Sequence, residues 1–308
     1  MRIAVTGATG MIGSDLIGLA SERGDDVIAI VHPDSKRIDN LPKSGNVRII
    51  ECDISDYKSL FSKERCDVFY HLAWMKTFGK DRDDVSVQEK NIEYALDAVE
   101  LADSWGAKVF IGAGSQAEYG LKDVPLNEDV PVNPESGYGI AKYTAGKLCN
   151  LLCQQKGIRF NWARILSVYG KLDADHTLIM YIINELIHGR SPELTRCEQT
   201  WDYLYSRDCA NALLSIGDKG RNGRTYCLGS GQPRPLKEYV ETIHQKIDPD
   251  ILISYGKKEY YPHQVMYLAA DIEDLTGDTG WLPEYPFEKG IDKVIEYVRR
   301  NRSDKQIV

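Results

Sequence analysis

Tyr138 and Lys142 stand four residues apart in a stretch with helical apolar spacing, which puts a phenol and an ammonium on one helix face. A free tyrosine, with a pKa of about 10, is a poor base near neutrality, and a neighbouring cation favours its phenolate. Such a pair can take a proton from an alcohol or return one to a ketone. Spacing alone carries little weight, because 18 tyrosines are present and Tyr143/Lys147 and Tyr285/Lys289 repeat the pattern. The first of these faces another side of the same helix, and Pro286 interrupts the second. Only Tyr138 follows a helix-start signal, Pro134-Glu135-Ser136-Gly137. Upstream, Ser115 in Gly112-Ala113-Gly114-Ser115-Gln116-Ala117-Glu118-Tyr119-Gly120 lies just beyond a candidate strand and offers a hydroxyl to the same substrate oxygen.

A second signal opens the chain. Thr6-Gly7-Ala8-Thr9-Gly10-Met11-Ile12-Gly13 follows the apolar run Ile3-Ala4-Val5. Its glycines allow a strand to turn sharply into a helix and let a pyrophosphate approach bare N–H groups at the positive helix end, with Thr9 and Met11 offering further donors. Turn and pair together indicate a nicotinamide enzyme. The second strand, 27–31, runs into His32-Pro33-Asp34-Ser35-Lys36-Arg37 with no acid at its tip to hold a ribose 2′-hydroxyl. Ser35, Lys36 and Arg37 suit a 2′-phosphate, so NADP(H) is preferred and NAD(H) possible; the same residues also read as a solvated basic turn.

These groups need a scaffold. Short apolar runs at 3–6, 27–31, 47–52, 68–72, 108–113 and 159–165 alternate with helical patterns at 11–23, 57–61, 85–105 and 138–155. The expected fold class is α/β, a Rossmann doubly wound parallel sheet with a smaller mixed α/β C-terminal substrate domain, and chemistry belongs at the carboxyl ends of the strands. The dinucleotide-binding domain is expected over 1–170 and the substrate domain over 171–308, with part of 203–228 returning to the first. Beyond 170 the pattern suggests helices at 178–188 and 208–216, strands at 203–205 and 225–228, and helices after Pro235 and Pro286, then a frayed polar tail after Arg302.

Composition narrows the function classes. A formal charge of −8 argues against nonspecific binding of nucleic acid or an anionic membrane. No apolar run approaches the ~20 residues that span a bilayer, and a start that enters a strand at once leaves no room for a signal peptide, so a cytoplasmic location is expected. Seven scattered cysteines suggest neither a disulfide framework nor a metal site; Cys149 and Cys153, one helical turn apart, read as small buried hydrophobes.

The glycine turn, Asp53-Ile54, His71-Leu72-Ala73, Ser115 before Tyr119-Gly120, Tyr138 with Lys142, Arg164-Ile165-Leu166-Ser167-Val168-Tyr169-Gly170, Asp202-Tyr203-Leu204-Tyr205 with Asp208, and Gly280-Trp281-Leu282-Pro283 stand in that order. The ordered set resembles the extended short-chain dehydrogenase/reductases, in particular their nucleotide-sugar epimerase/dehydratase branch, over nearly the whole chain. The resemblance implies catalysis by Ser115, Tyr138 and Lys142, with Lys142 also reaching the nicotinamide ribose. It implies Gly7, Thr9, Gly10, Met11, Ile12 and Gly13 at the pyrophosphate, His32 and Arg37 at the adenosine ribose, and Asp53 and Ile54 at adenine. Leu72, Ala73, Trp74, Asn91, Ala113 and Ile165 would line the cofactor groove; Ser115, Gln116, Ser167 and His176 would face a nucleotide-diphosphate sugar, His176 reading equally as a surface residue. A homodimer through a helical bundle is common in the family.

Departures from the pattern narrow the reaction. Family 4,6-dehydratases resemble one another in an Asp-Glu pair after the catalytic hydroxyl, and the bifunctional 3,5-epimerase/4-reductases in a cysteine; here Gln116-Ala117 supplies neither. Chemistry at one carbinol remains: reduction of a 4-keto-6-deoxy sugar, or alternatively 4-epimerisation with tightly held NAD. A non-catalytic dinucleotide-binding sensor is the rival from another class. Where many relatives hold the diphosphate with an arginine, this chain has Trp201, which leaves Arg196, Arg207 or Arg234 as substitutes.

Overall fold

A computed structural model describes residues 1–303 of the chain; the expected polar tail lies, from residue 304 onward, outside the described residues. The first half runs β1 (Arg2–Thr6), α1 (Met11–Glu22), β2 (Asp26–Val31), β3 (Val47–Glu51), β4 (Val68–His71), α2 (Val85–Ser104), β5 (Val109–Ser115), α3 (Gly137–Lys156) and β6 (Arg159–Ile165). The second half continues β7 (Ser167–Tyr169), α4 (Leu178–Ile187), β8 (Thr200–Trp201), β9 (Tyr203–Tyr205), α5 (Ser206–Lys219), β10 (Thr225–Leu228), β11 (Arg234–Pro235), α6 (Leu236–Ile247), α7 (Glu273–Thr279) and α8 (Phe287–Ser303).

Seven strands form one sheet in the order β3-β2-β1-β4-β5-β6-β10, every neighbouring pair parallel. Both faces are covered, which explains why the central strands β1, β2, β4 and β5 are buried along nearly their whole length and do not alternate, while the edge strand β3 is largely exposed. Ile3, Val5, Val27 and Ala29 pack with α1 and α5 residues in one core, while Ala4, Ile28, Phe69 and Phe110 pack with α2 and α3 residues in another. Phe69, Phe110, Phe160 and Trp162 stack in a ladder across β4, β5 and β6, with centroids 5.8, 6.3 and 6.2 Å apart. Residues 206–228 return to this unit, because β10 pairs with β6 and α5 packs on α1. A third core gathers α4, α6 and α8 around Tyr169, Tyr205, Tyr239 and Phe287.

The strand order reverses direction between β1 and β4, and this is where a doubly wound sheet opens a crevice at its carboxyl edge. Thr6, the last residue of β1, bridges it: its Oγ1 accepts from Leu72 N (3.2 Å) and Ala73 N (3.3 Å) and keeps its own proton for His71 Nδ1 at 2.9 Å.

Three local expectations change. The helix expected at 57–61 is a 3-10 segment, Ile54–Leu60, capped by Asp53. The short α7 has no counterpart in the sequence reading. Finally, β5 extends through Ser115, which pairs with Ile165 of β6, so the hydroxyl belongs to the sheet and not to a loop beyond it.

Glu118 explains that extension. The Ser115 side chain caps the 3-10 turn Gln116–Glu118, and the Glu118 carboxylate reaches back to the Ser115 backbone in a capping box. Glu118 is completely buried. Its Oε1 accepts from Ser115 N (2.8 Å) and Trp162 Nε1 (2.9 Å), and its Oε2 accepts from Arg164 Nε (2.7 Å). Arg164 Nη1 in turn donates to the Tyr119 hydroxyl at 2.7 Å. Removing one partner of a buried ion pair leaves the other charge unpaired at a cost of about 3–5 kcal/mol. Glu118→Ala is therefore expected to lose that much stability by chemical denaturation; a loss under about 1 kcal/mol, the scale of an ordinary surface change, would show that the network is not what fixes this end of β5.

Candidate active site

The glycine turn is built for close approach. Gly7 takes φ +68°, and a Cβ there would lie 2.8 Å from Ala73 N; a Cβ on Gly13 would overlap the Gly7 carbonyl oxygen. Gly10 N donates to Gly7 O at 3.1 Å, and Gly10 as N-cap brings no side chain to the first N–H groups of α1. Unscreened donors at a helix N-terminus facing a side-chain-free cradle fit a pyrophosphate. This cradle forms one end of a cleft of about 530 Å³ that is also lined by Leu72, Trp74, Ala113, Ser115, Tyr138 and Lys142.

The three residues expected to be catalytic, Ser115, Tyr138 and Lys142, line that cleft. Ser136 caps α3 through Gly139 N (3.1 Å), which sets Tyr138 on the first turn of α3. Tyr138 and Ser115 line the same cleft. Burial raises the Tyr138 pKa; the nearby Ser115 hydroxyl and the Arg82 guanidinium oppose that rise, and Glu118 adds to it. Lys142 is buried. Its Nζ donates to Ala113 O at 2.6 Å and lies 3.7 Å over the Trp74 ring, against 5.8 Å from the Tyr138 ring centroid. Burial pushes the lysine down to about 7, with Glu118 pulling the other way. Next to it, burial and the Lys142 charge take His71 down to about 3; it is a neutral bridge to Thr6.

The family model described as the NAD-dependent epimerase/dehydratase family matches residues 3–229. The chain belongs to that family. It is an enzyme of the extended short-chain dehydrogenase/reductase kind, and the sensor rival is thereby set aside. The chain is 26% identical to a UDP-glucose 4-epimerase of Mycolicibacterium smegmatis, covering 97% of this chain and 99% of that one. It is 23% identical to a dTDP-4-dehydro-6-deoxyglucose reductase of Escherichia coli, covering 96% and 97%. Among solved structures it resembles UDP-glucuronic acid 4-epimerase from Bacillus cereus in complex with NAD, with a TM-score of 0.84 and 21% identity over 98% of this chain and 99% of that one.

Within this epimerase/dehydratase fold the expected site residues divide. Gly7, Gly10, Met11, Ile12, Gly13, Arg37, Leu72, Trp74, Ala113, Ser115, Tyr138, Lys142, Ile165 and Ser167 line the cleft. Thr9 hydrogen-bonds Ser35 through its hydroxyl (3.1 Å), outside the enclosed part. Asp53 is shared between two tasks: Oδ1 accepts from Ser55 N (2.9 Å) and Oδ2 pairs with His32 Nε2 at 3.0 Å. Ile54 packs on the second core. Ala73 gives its N–H to Thr6. Asn91 is buried; its amide bonds Met75 N and Met75 O at 3.0 Å and Gln88 Oε1 at 3.3 Å, which holds the loop after β4. Gln116 opens the 3-10 turn after Ser115 and is off the cleft wall. His176 is exposed and packs edge-on against Phe78 (4.9 Å); Phe78 is the member of that pair in the wall.

The three candidate substitute cations lie outside the cleft wall. Arg207 pairs with Glu22 (2.5 Å) and Arg234 with Glu288 (2.7 Å), Arg196 is exposed, and none of the three lines the cleft. Trp201 does line it, donating Nε1 to the Ser167 hydroxyl at 2.7 Å. The acids of the family match are scaffold: Asp202 gathers Ser230 N (2.7 Å), Gly231 N (3.1 Å) and Ala270 N (3.0 Å), and Asp208 holds Glu284 N (3.1 Å) and Tyr285 N (2.9 Å).

Sequence reading missed Glu118 and Arg82. The first was legible as a capping box, Ser-x-x-Glu, at 115–118; the second has no local signature.

A lysine whose folded pKa lies below its unfolded value binds fewer protons folded than unfolded between pH 7 and 10.5. Its penalty is therefore full below pH 7 and fades as pH rises toward 10.5. Lys142→Met is expected to stabilise the fold at pH 6, on the order of 2–4 kcal/mol, and less at pH 9. Denaturation midpoints at the two pH values check this; an equal change at both contradicts it.

Proposed function

We propose that this enzyme reduces the 4-keto group of a nucleotide-linked 6-deoxy sugar, with NADP(H) preferred. The observation that carries the reading is that Ser115, Tyr138 and Lys142 line the same cleft as the glycine cradle. That arrangement serves proton transfer at one carbinol, and Gln116-Ala117 offers no acid or base for water elimination. Arg37 in the cleft wall and Ser35 bound to Thr9 support a 2′-phosphate. The similarity to a dTDP-4-dehydro-6-deoxyglucose reductase agrees with the reaction.

The nicotinamide cofactor, when bound, supplies the hydride. Everything else belongs to the chain. Gly7, Gly10 and the first N–H groups of α1 would hold the pyrophosphate, and Lys142 the nicotinamide ribose. Ser115 donates a hydrogen bond to the substrate carbonyl oxygen and polarises it. Tyr138 delivers its proton to that oxygen as the carbinol forms, in general acid catalysis. Lys142 beside it stabilises the phenolate left behind. A sugar whose carbinol can be presented on either face would make the same groups a 4-epimerase, the reading that the similarity to a UDP-glucose 4-epimerase favours. Homodimerisation is supported by Ile140, Leu148 and Leu151, exposed along α3.

Incubating the protein with NADPH and a panel of nucleotide 4-keto-6-deoxy sugars and nucleotide hexoses tests the proposal. Stoichiometric NADPH consumption is expected; a changed sugar without NADPH loss would replace reductase by epimerase, and no change in any substrate would overturn both. Tyr138→Phe should lower turnover by about 10²–10⁴-fold while NADPH still binds, and retained turnover would remove Tyr138 from the role of acid.

A further inference from the structure

The loop between β4 and α2 carries a second cation to the catalytic tyrosine. Arg82 Cζ lies 4.7 Å from the Tyr138 ring centroid, nearer than Lys142 Nζ at 5.8 Å, and Trp74 meets the same ring edge-on at 6.2 Å. The ring thus stands among two cations and an indole. The position is fixed from both sides. Asp83 Oδ1 accepts from Gly137 N (2.7 Å), the residue before Tyr138. Asp84 caps α2 through Val87 N (3.3 Å), and Lys76 closes the loop onto Asp81 at 2.7 Å. A Cβ on Gly137 would come 3.3 Å from Arg82 O, so loop and helix start are in close contact.

The Lys142 ammonium is shared with Ala113 O and the Trp74 face. The Arg82 Nε is buried without a hydrogen-bond partner. Guanidinium suits this place because it is flat, weakly hydrated and stacks on aromatic faces. Among the described residues, the charged groups around Tyr138 are Arg82 and Asp83 from the loop, Lys142 from α3, and Glu118 behind Ser115; Asp83 accepts from Gly137 N and Glu118 is bound to Arg164.

We propose that Arg82 is a positioning residue for Tyr138: its guanidinium packs on the phenol ring and biases the hydroxyl toward releasing its proton. The proposal rests on the reading of Tyr138 as the acid. It assigns to the loop after β4 a part of the proton-transfer machinery that Lys142 alone does not supply in this arrangement.

The test needs neither substrate nor cofactor, so its outcome is separate from which sugar is turned over. Protein labelled with 13Cζ-tyrosine is titrated by NMR, the Tyr138 signal being assigned by its loss in Tyr138→Phe. Arg82→Gln is expected to raise the Tyr138 midpoint by about one pH unit, or to leave a phenol that ionises in the wild type only; Arg82→Lys restores most of the shift. Equal midpoints in wild type and Arg82→Gln, or ionisation in neither before the fold is lost, overturn the proposal. In turnover, the reductive direction needs the protonated phenol, so the alkaline limb of kcat moves to higher pH in Arg82→Gln with KM unchanged. A KM change without movement of the limb would make Arg82 a substrate contact instead and also overturn the proposal.

Discussion

The Glu118 carboxylate sits completely buried between β5 and β6, and a charge so placed can be tolerated only if every neighbour turns a donor toward it. Ser115 N, Trp162 Nε1 and Arg164 Nε do so. The consequences reach the chemistry directly. The bond to Ser115 N fixes the last residue of β5, the capping box starts the turn that carries the chain away, and the Trp162 bond orients the indole that ends the aromatic ladder. Gly112, Gly114 and Gly146 leave the space that this indole fills. Gly146 belongs to α3, so the helix bearing Tyr138 and Lys142 packs against the same ring that Glu118 holds. One carboxylate thereby references the serine, the helix and the sheet to each other.

The other half of the site depends on the crevice between β1 and β4. There Thr6 ties the two strand ends through Leu72 N, Ala73 N and His71, and the positive φ of Gly7 turns the chain toward α1 with no side chain in the way. The glycine cradle after β1 and the helix α3 packed on β5 and β6 consequently meet at one edge of a single sheet, with β4 between them. Such placement on scaffold elements, and not on free loops, suits hydride transfer to a carbon coupled to proton transfer to its oxygen.

Much of this was legible in the amino-acid order. Apolar runs buried on both faces announced the parallel sheet, and the Ser136 cap marked the start of α3 three residues ahead of the bond it makes to Gly139. What stayed hidden depended on contacts far apart in sequence. Asn91 resembled a cofactor contact by position, and only the fold shows its amide bonded to Met75 and Gln88; Arg207 and Arg234 resembled phosphate ligands by type, and only the fold shows each paired with a carboxylate. Arg82 gains meaning only when a loop brings it over a ring 56 residues later in the chain. Pairing of long side chains is decided by tertiary packing, which local spacing does not encode.

The central claim is that Ser115 and Tyr138 serve hydride addition at one sugar carbon. The most direct measurement is to supply NADPH deuterated at nicotinamide C4 and locate the label in the sugar product by NMR. The account predicts deuterium on C4 of the sugar, on a single face, in a molar ratio of about one to the cofactor oxidised. Label at another carbon, label in solvent alone, or a product formed without label would contradict it.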